Sequence, residues 1–158
     1  MNKITSIILT SVFVIVPVLA QQSEQSQELL TEEYSTAQAG VRFAPLHIYL
    51  DSGNSSLAAY QFELKATTGQ IKIVGVEGGR HEAFKEAPYY DKAALAKDRI
   101  IIAAFSTGSN LPKDRTRIAT IHLQIIGDAE PQYELKLIVA ADADGKEIPA
   151  EISFEKGE

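Results

Sequence analysis

The sequence predicts an all-β protein, an antiparallel β-sandwich, and three observations carry that prediction. Apolar and polar residues alternate along most of the chain after residue 41, which is the period of a half-buried strand. Turn-forming clusters, "DSGNSS", "TTGQ" and "DADGKE", separate these stretches. Within the same region only "DKAALAKD", Asp91 to Asp98, has helix-forming character, enough for about two turns.

Taken in order, Leu46, Ile48 and Leu50 alternate with His47 and Tyr49. Tyr60, Phe62, Leu64 and Ala66 alternate with Gln61, Glu63 and Lys65, the clearest half-buried strand in the chain. Ile71 to Val76 predicts a shorter strand. Ile100 to Phe105, "IIIAAF", is continuously apolar and predicts a central strand covered on both faces. Ala119, Ile121, Leu123 and Ile125 form the next strand, and Tyr133, Leu135, Leu137 and Val139 the one after. Asp144-Gly145 predicts a hairpin into the last strand, Ile148 to Phe154. There Pro149 has no N–H for a ladder, which predicts an edge or a bulge. Strands this numerous and short, joined by turns, pack as two facing sheets.

Residues 1–20, "MNKITSIILTSVFVIVPVLA", predict a cleaved signal peptide: Lys3, an apolar run from Ile4 to Val16, then small residues at Val18 and Ala20. Residues 21–40, rich in Gln, Ser and Glu, predict a flexible linker, and residues 41–158 the folded domain. After cleavage, 138 residues carry 14 basic against 21 acidic side chains, a net charge of −7. That balance, with no run of Lys or Arg, argues against nucleic acid and anionic lipid as partners. The chain has no cysteine, so neither a lipid-anchored amino terminus nor disulfides are available, and the domain must be held by apolar burial. An exported protein without membrane insertion is expected, periplasmic or extracellular.

The segments "LAAYQFELKATTGQIKIVGVEGG" and "RIIIAAFSTGSNLPKDRTRIATIHLQI", separated by a long loop, resemble a cohesin-type domain of the bacterial carbohydrate-binding β-sandwich superfamily. Ile73, Val76 and Gly79 stand where that family has a V-x-x-V-x-x-G-like segment, and Ile118, Ile121, Leu123 and Ile125 where it has its late core strand. "LPKDRTRIA" lacks the glycine a cohesin often carries before that strand. The resemblance implies a jelly-roll-like sandwich of about nine strands that binds a protein or a sugar and catalyses nothing.

Chemistry-bearing residues are sparse. His47 and His122 fall on the polar faces of their strands, and two histidines alone make a weak metal site. Ser106 lies in "FSTGSN", outside a G-x-S-x-G elbow. Residues 142–147 share the D-x-D-G opening of calcium loops and residues 51–56 offer further oxygens, but both are turn-forming sets first. The unusual passage is "VEGGRHEAFKEAPYYDKAAL", Val76 to Leu95. Its Arg80, His81, Phe84, Tyr89, Tyr90 and Asp91 predict a recognition loop, in which aromatic rings supply contact area and Arg80 and Asp91 set orientation. The expected partner is a protein, such as a cell-surface or scaffold protein. An alternative is a polysaccharide stacked on Tyr89 and Tyr90. A third reading, a metal-dependent hydrolase at His81 beside Glu77, Glu82 and Glu86, lacks the second histidine of H-E-x-x-H. No cofactor is expected.

Overall fold

The computed structural model describes residues 40–157. The expected signal peptide and nearly all of the expected linker lie outside the described residues. Eight strands follow one another: β1 (Val41–Asp51), β2 (Ala59–Thr68), β3 (Gln70–Gly78), β4 (Tyr89–Tyr90), β5 (Arg99–Phe105), β6 (Arg115–Ile126), β7 (Gln132–Ala141) and β8 (Glu151–Lys156). They form two antiparallel sheets, ordered β3-β6-β1-β8 and β4-β5-β2-β7. The all-β sandwich read from the sequence is therefore observed, with eight strands among the described residues where about nine were expected.

Pairing is nested: β1 with β8, β2 with β7, β3 with β6, and β4 with β5. This is a long hairpin rolled up, the arrangement of a jelly roll. Only β4 and β5 are both consecutive in the chain and hydrogen-bonded, so every other connection crosses between the sheets. The expected hairpin at Asp144-Gly145 is thereby corrected, and the "TTGQ" turn likewise joins strands that do not pair. Gly69, at φ 79°, turns the chain from β2 into the opposite sheet. The Asp142 turn closes locally, its N–H donating to the Lys146 carbonyl at 3.0 Å and its carboxylate accepting from Lys146 N–H at 2.9 Å. Beyond it the chain crosses to the other sheet, and β8 pairs as an edge strand with β1. Pro149 precedes β8 instead of interrupting it.

The inward side chains are the ones the alternation selects: Leu46, Ile48 and Leu50, then Tyr60, Phe62 and Leu64, Ile71 and Ile73, Ile100 and Ile102, and Ile121, Leu123 and Ile125. A bulge lies in β6, where Ile48 opposes Ala119 and Tyr49 opposes Arg117. Ile118, the extra residue, and Ala119 both face the core. The bulge restores parity beyond it, so that Arg117 shares the outer face with Thr120 and His122.

Two further expectations are corrected. β5 is covered on one face only: Ile100 and Ile102 are buried, whereas Ile101 is 40% exposed and Phe105 62%. A two-layer sandwich leaves each sheet an outer face, and among the described residues no third layer packs here. The two-turn helix over Asp91–Asp98 is a single 3₁₀ turn, Lys92–Ala94. Helix extension loses to pairing with β3, because Ala96 N–H donates to the Ile73 carbonyl at 2.7 Å and Ile73 N–H to the Lys97 carbonyl at 2.9 Å. Ala96 takes a positive φ of 65° to make that contact.

Candidate functional site

Gly78 and Gly79 close β3 where the backbone of the next segment presses against it. A Cβ on Gly79 would overlap the Arg117 carbonyl and lie 2.9 Å from Ile118 Cα; one on Gly78 would lie 2.5 Å from Lys85 C. The glycines are needed because backbone atoms occupy the space a side chain would take. The loop that follows is tied down at once. Gly79 N–H donates to the Phe84 carbonyl at 2.7 Å, and Arg80 N–H to the Arg117 carbonyl at 3.0 Å.

The six predicted site residues do not converge. Phe84 is a core residue, 3% exposed, its ring edge-on to Tyr60 with centroids 5.1 Å apart. Tyr60 in turn donates its hydroxyl to the Ile118 carbonyl at 3.0 Å, and burial pushes its phenol pKa up. Phe84 therefore leaves the set of surface contacts. His81 caps a 3₁₀ turn, its Nδ1 accepting from Ala83 N–H at 3.2 Å, and Asp91 caps the next, accepting from Ala93 N–H at 2.9 Å. Tyr90 turns inward against the core. Arg80 continues the β3–β6 ladder and so belongs to the other sheet.

Tyr89 alone of the six projects from the outer face of the β4-β5-β2-β7 sheet, 68% exposed. Its ring stacks on that of Phe105, centroids 6.0 Å apart and planes 9° from parallel. The register extends this pair into a patch. Tyr89 opposes Ala103, which opposes Gln61, which opposes Val139; Phe105 opposes Ala59, which opposes Ala141. Ile101 and Ile138, 40% and 43% exposed, border it. The other end of the same face is charged, with Lys136 and Lys65 near the Arg99–Glu63 ion pair. The hydrogen bond from Arg99 holds the Glu63 carboxyl below the usual range.

Phe105 and Ile101 were missed by the sequence reading, although their signal was present. An apolar strand with no spacing period, lying in a two-layer fold, must show half its apolar side chains to solvent. Ile138 was missed because it is the extra residue of a bulge in β7, between Leu137 opposite Phe62 and Val139 opposite Gln61. Val41, Phe43 and Val74 are also exposed on the opposite sheet, where Val41 and Phe43 adjoin the segment outside the described residues.

His47 and His122 lie on neighbouring strands, one row apart on the outer face of the β3-β6-β1-β8 sheet. His47 Nδ1 stands 3.1 Å from Thr120 Oγ1, and His122 Nε2 3.1 Å from Glu77 Oε1. Among the described residues no three His, Asp or Glu are placed to hold a metal ion.

The chain matches no family model, no curated protein and no solved structure.

The His47 imidazole has its pKa held below 6.5, first by burial and then by Arg117 and Arg80, against a smaller opposing pull from Glu155. Between the folded value and 6.5 the unfolded chain binds the extra proton, so stability rises with pH across that window. Stability is accordingly expected to fall as pH drops from about 6.5 through the folded value, before the carboxylates contribute their own loss. Urea midpoints measured along a pH series check this; His47→Gln should flatten the slope in that window, and an unchanged slope would assign it to another group.

Proposed function

We propose that this chain is an exported, non-catalytic β-sandwich module that recognises a protein partner through the outer face of its β4-β5-β2-β7 sheet. The observation that carries the reading is the stacked, exposed Tyr89–Phe105 pair, 68% and 62% exposed, set in an apolar patch beside a charged one. Isolated exposed apolar residues need no explanation, but a contiguous group with aromatic anchors marks a contact surface. The sheet holds these rings on a rigid platform, so little conformational entropy is lost on docking. The cohesin resemblance of the sequence supports a protein as partner, and the predicted signal peptide supports export.

The test immobilises residues 21–158 and captures partners from the producing cell's envelope and culture fluid, identifying them by mass spectrometry. One protein is expected to be enriched reproducibly and to bind directly when purified. Tyr89→Ala and Phe105→Ala should each weaken that binding about 30-fold, a loss of about 2 kcal/mol. Both should leave the melting temperature nearly unchanged, since neither ring is buried. Equal binding by wild type and the double variant would remove this face from consideration.

A second reading rests on the near-parallel Tyr89 and Phe105 rings, which resemble the flat aromatic surface that a sugar ring stacks on. Retention on polysaccharide, lost in the same double variant while no protein is captured, would put a glycan in the partner's place.

A further inference from the structure

The sheet facing away from the proposed recognition surface carries its own concentration of polar groups. The chain has five arginines. Three are paired with glutamate: Arg42 with Glu130, Arg99 with Glu63, and Arg115 with Glu155. Neither of the other two, Arg80 and Arg117, has an ion-pair partner among the described residues, and these two are neighbours. Arg80 N–H donates to the Arg117 carbonyl at 3.0 Å, which sets them side by side across the extension of the β3–β6 ladder.

Behind them the outer face is recessed. Thr120 faces outward between His47 and Glu77 yet is only 3% exposed, so the surrounding side chains stand above it. Arg117 Nη1 lies 3.5 Å from His47 Nδ1, and Thr120 Oγ1 lies 3.1 Å from the same nitrogen. Arg117 Nε is buried and has no hydrogen-bond partner among the described residues. His122 Nε2 shares that condition, because Glu77 Oε1, though 3.1 Å away, lies outside hydrogen-bond geometry. Buried donors left without partners are costly and rare, and an arginine N–H has no other chemistry than donation. The nearby acids are engaged elsewhere or exposed: Glu155 is held by Arg115 at 2.7 Å, and the Glu77 side chain is 69% exposed.

We propose that Arg80 and Arg117, with His47, Thr120 and His122 around the recess, form a binding site for an oxyanion: a carboxylate, sulfate or phosphate group. The two arginines stand at paired backbone positions and both act on His47, so their N–H donors are available to the oxygens of such a group, in a chain whose overall charge is negative. A bound anion also relieves the cluster's internal repulsion. Burial disfavours the imidazolium form of His47 most, Arg117 and Arg80 add to it together with His122, and Glu155 opposes. Negative charge bound beside the two arginines offsets their part of that effect, so binding and His47 protonation are coupled. The site lies on the opposite sheet from Tyr89 and Phe105 and is independent of what that surface binds.

Sulfate is the suitable probe, because its charge is constant across the titration range of histidine. Nitrogen-15 NMR of residues 21–158 follows the Arg117 Nε–H and the His47 ring during a sulfate titration, with chloride at equal ionic strength as control. Saturable shifts at both groups are expected with sulfate and not with chloride, together with a rise in the His47 pKa. Arg117→Gln and Arg80→Gln should each weaken the apparent affinity about tenfold, the size of one charge-assisted hydrogen bond. A titration with acetate separates planar carboxylates from tetrahedral ions. Shifts that track ionic strength alone overturn the proposal, as does a His47 pKa indifferent to sulfate. So does retained affinity in both arginine variants, whose folding is verified by their amide spectra.

Discussion

Phe84→Ala is expected to destabilise the domain by about 3–5 kcal/mol, the range for removing a fully buried aromatic ring. For a domain of this size that corresponds to a fall in melting temperature of about 10–20 °C. Two effects add. The ring is 3% exposed and edge-on to Tyr60, so its loss leaves a cavity against β2 and removes the aromatic contact. It also anchors the 3₁₀ turn Glu82–Phe84, whose terminal carbonyl accepts the Gly79 N–H. Thermal and urea unfolding give the measurement. Tyr60→Phe is a useful companion, since it keeps the core volume and removes only the hydroxyl bond to Ile118, about 1 kcal/mol. A Phe84→Ala loss below about 1 kcal/mol would mean the ring is not packed in the core.

Gly79→Ala is expected to cost about 3 kcal/mol, at the upper end of overpacking. The added methyl would meet the Arg117 carbonyl and stand 2.9 Å from Ile118 Cα. Both are backbone atoms of β6, at its bulge, so neither moves aside as a flexible side chain would. Relief requires the chain after β3 to lift from β6, breaking the Arg80 N–H bond to Arg117 and loosening Phe84 behind it. Partial unfolding localised to residues 78–88 should appear as lost amide protection there, while β1 and β2 stay protected. Uniform protection together with wild-type stability would show that the contact at Gly79 is looser than described.

These two substitutions mark the boundary of what the sequence made legible. The strand faces were readable because burial on one side imposes a period of two, and Leu46, Ile48, Phe62, Leu64, Ile121 and Leu123 obey it. Which strands pair was not readable, because local turn chemistry at Gly69 and Asp144-Gly145 is the same whether the chain returns to its own sheet or crosses to the facing one. The helix expected at Asp91–Asp98 failed for a related reason: Ala96 and Lys97 have good helix propensity, but hydrogen bonds to Ile73 outweigh a few tenths of a kcal/mol per residue.

The candidate site was legible only at Tyr89. Adjacent tyrosines in a two-residue strand must point to opposite sides, so one of Tyr89 and Tyr90 was bound to face inward. Its partner Phe105 comes from a strand read as doubly covered, and only the count of layers exposes it. The pairing of Arg80 with Arg117 joins residues 37 positions apart and depends on the β6 bulge, which no local pattern announces.

The nested pairing also governs the order of events as the chain is made. β1 finds its outer neighbour only in β8, whose pairing joins Leu46 to Lys156 and Asp51 to Glu151. β2 likewise waits for β7. Contacts this distant along the chain make folding slow, because loop entropy must be lost before the pairing rewards it. During synthesis, both flanks of β1 stay unpaired until β6 and then β8 have emerged. A chain arrested before Glu151 presents one bare ladder of N–H and C=O groups, the template on which strands of separate molecules join.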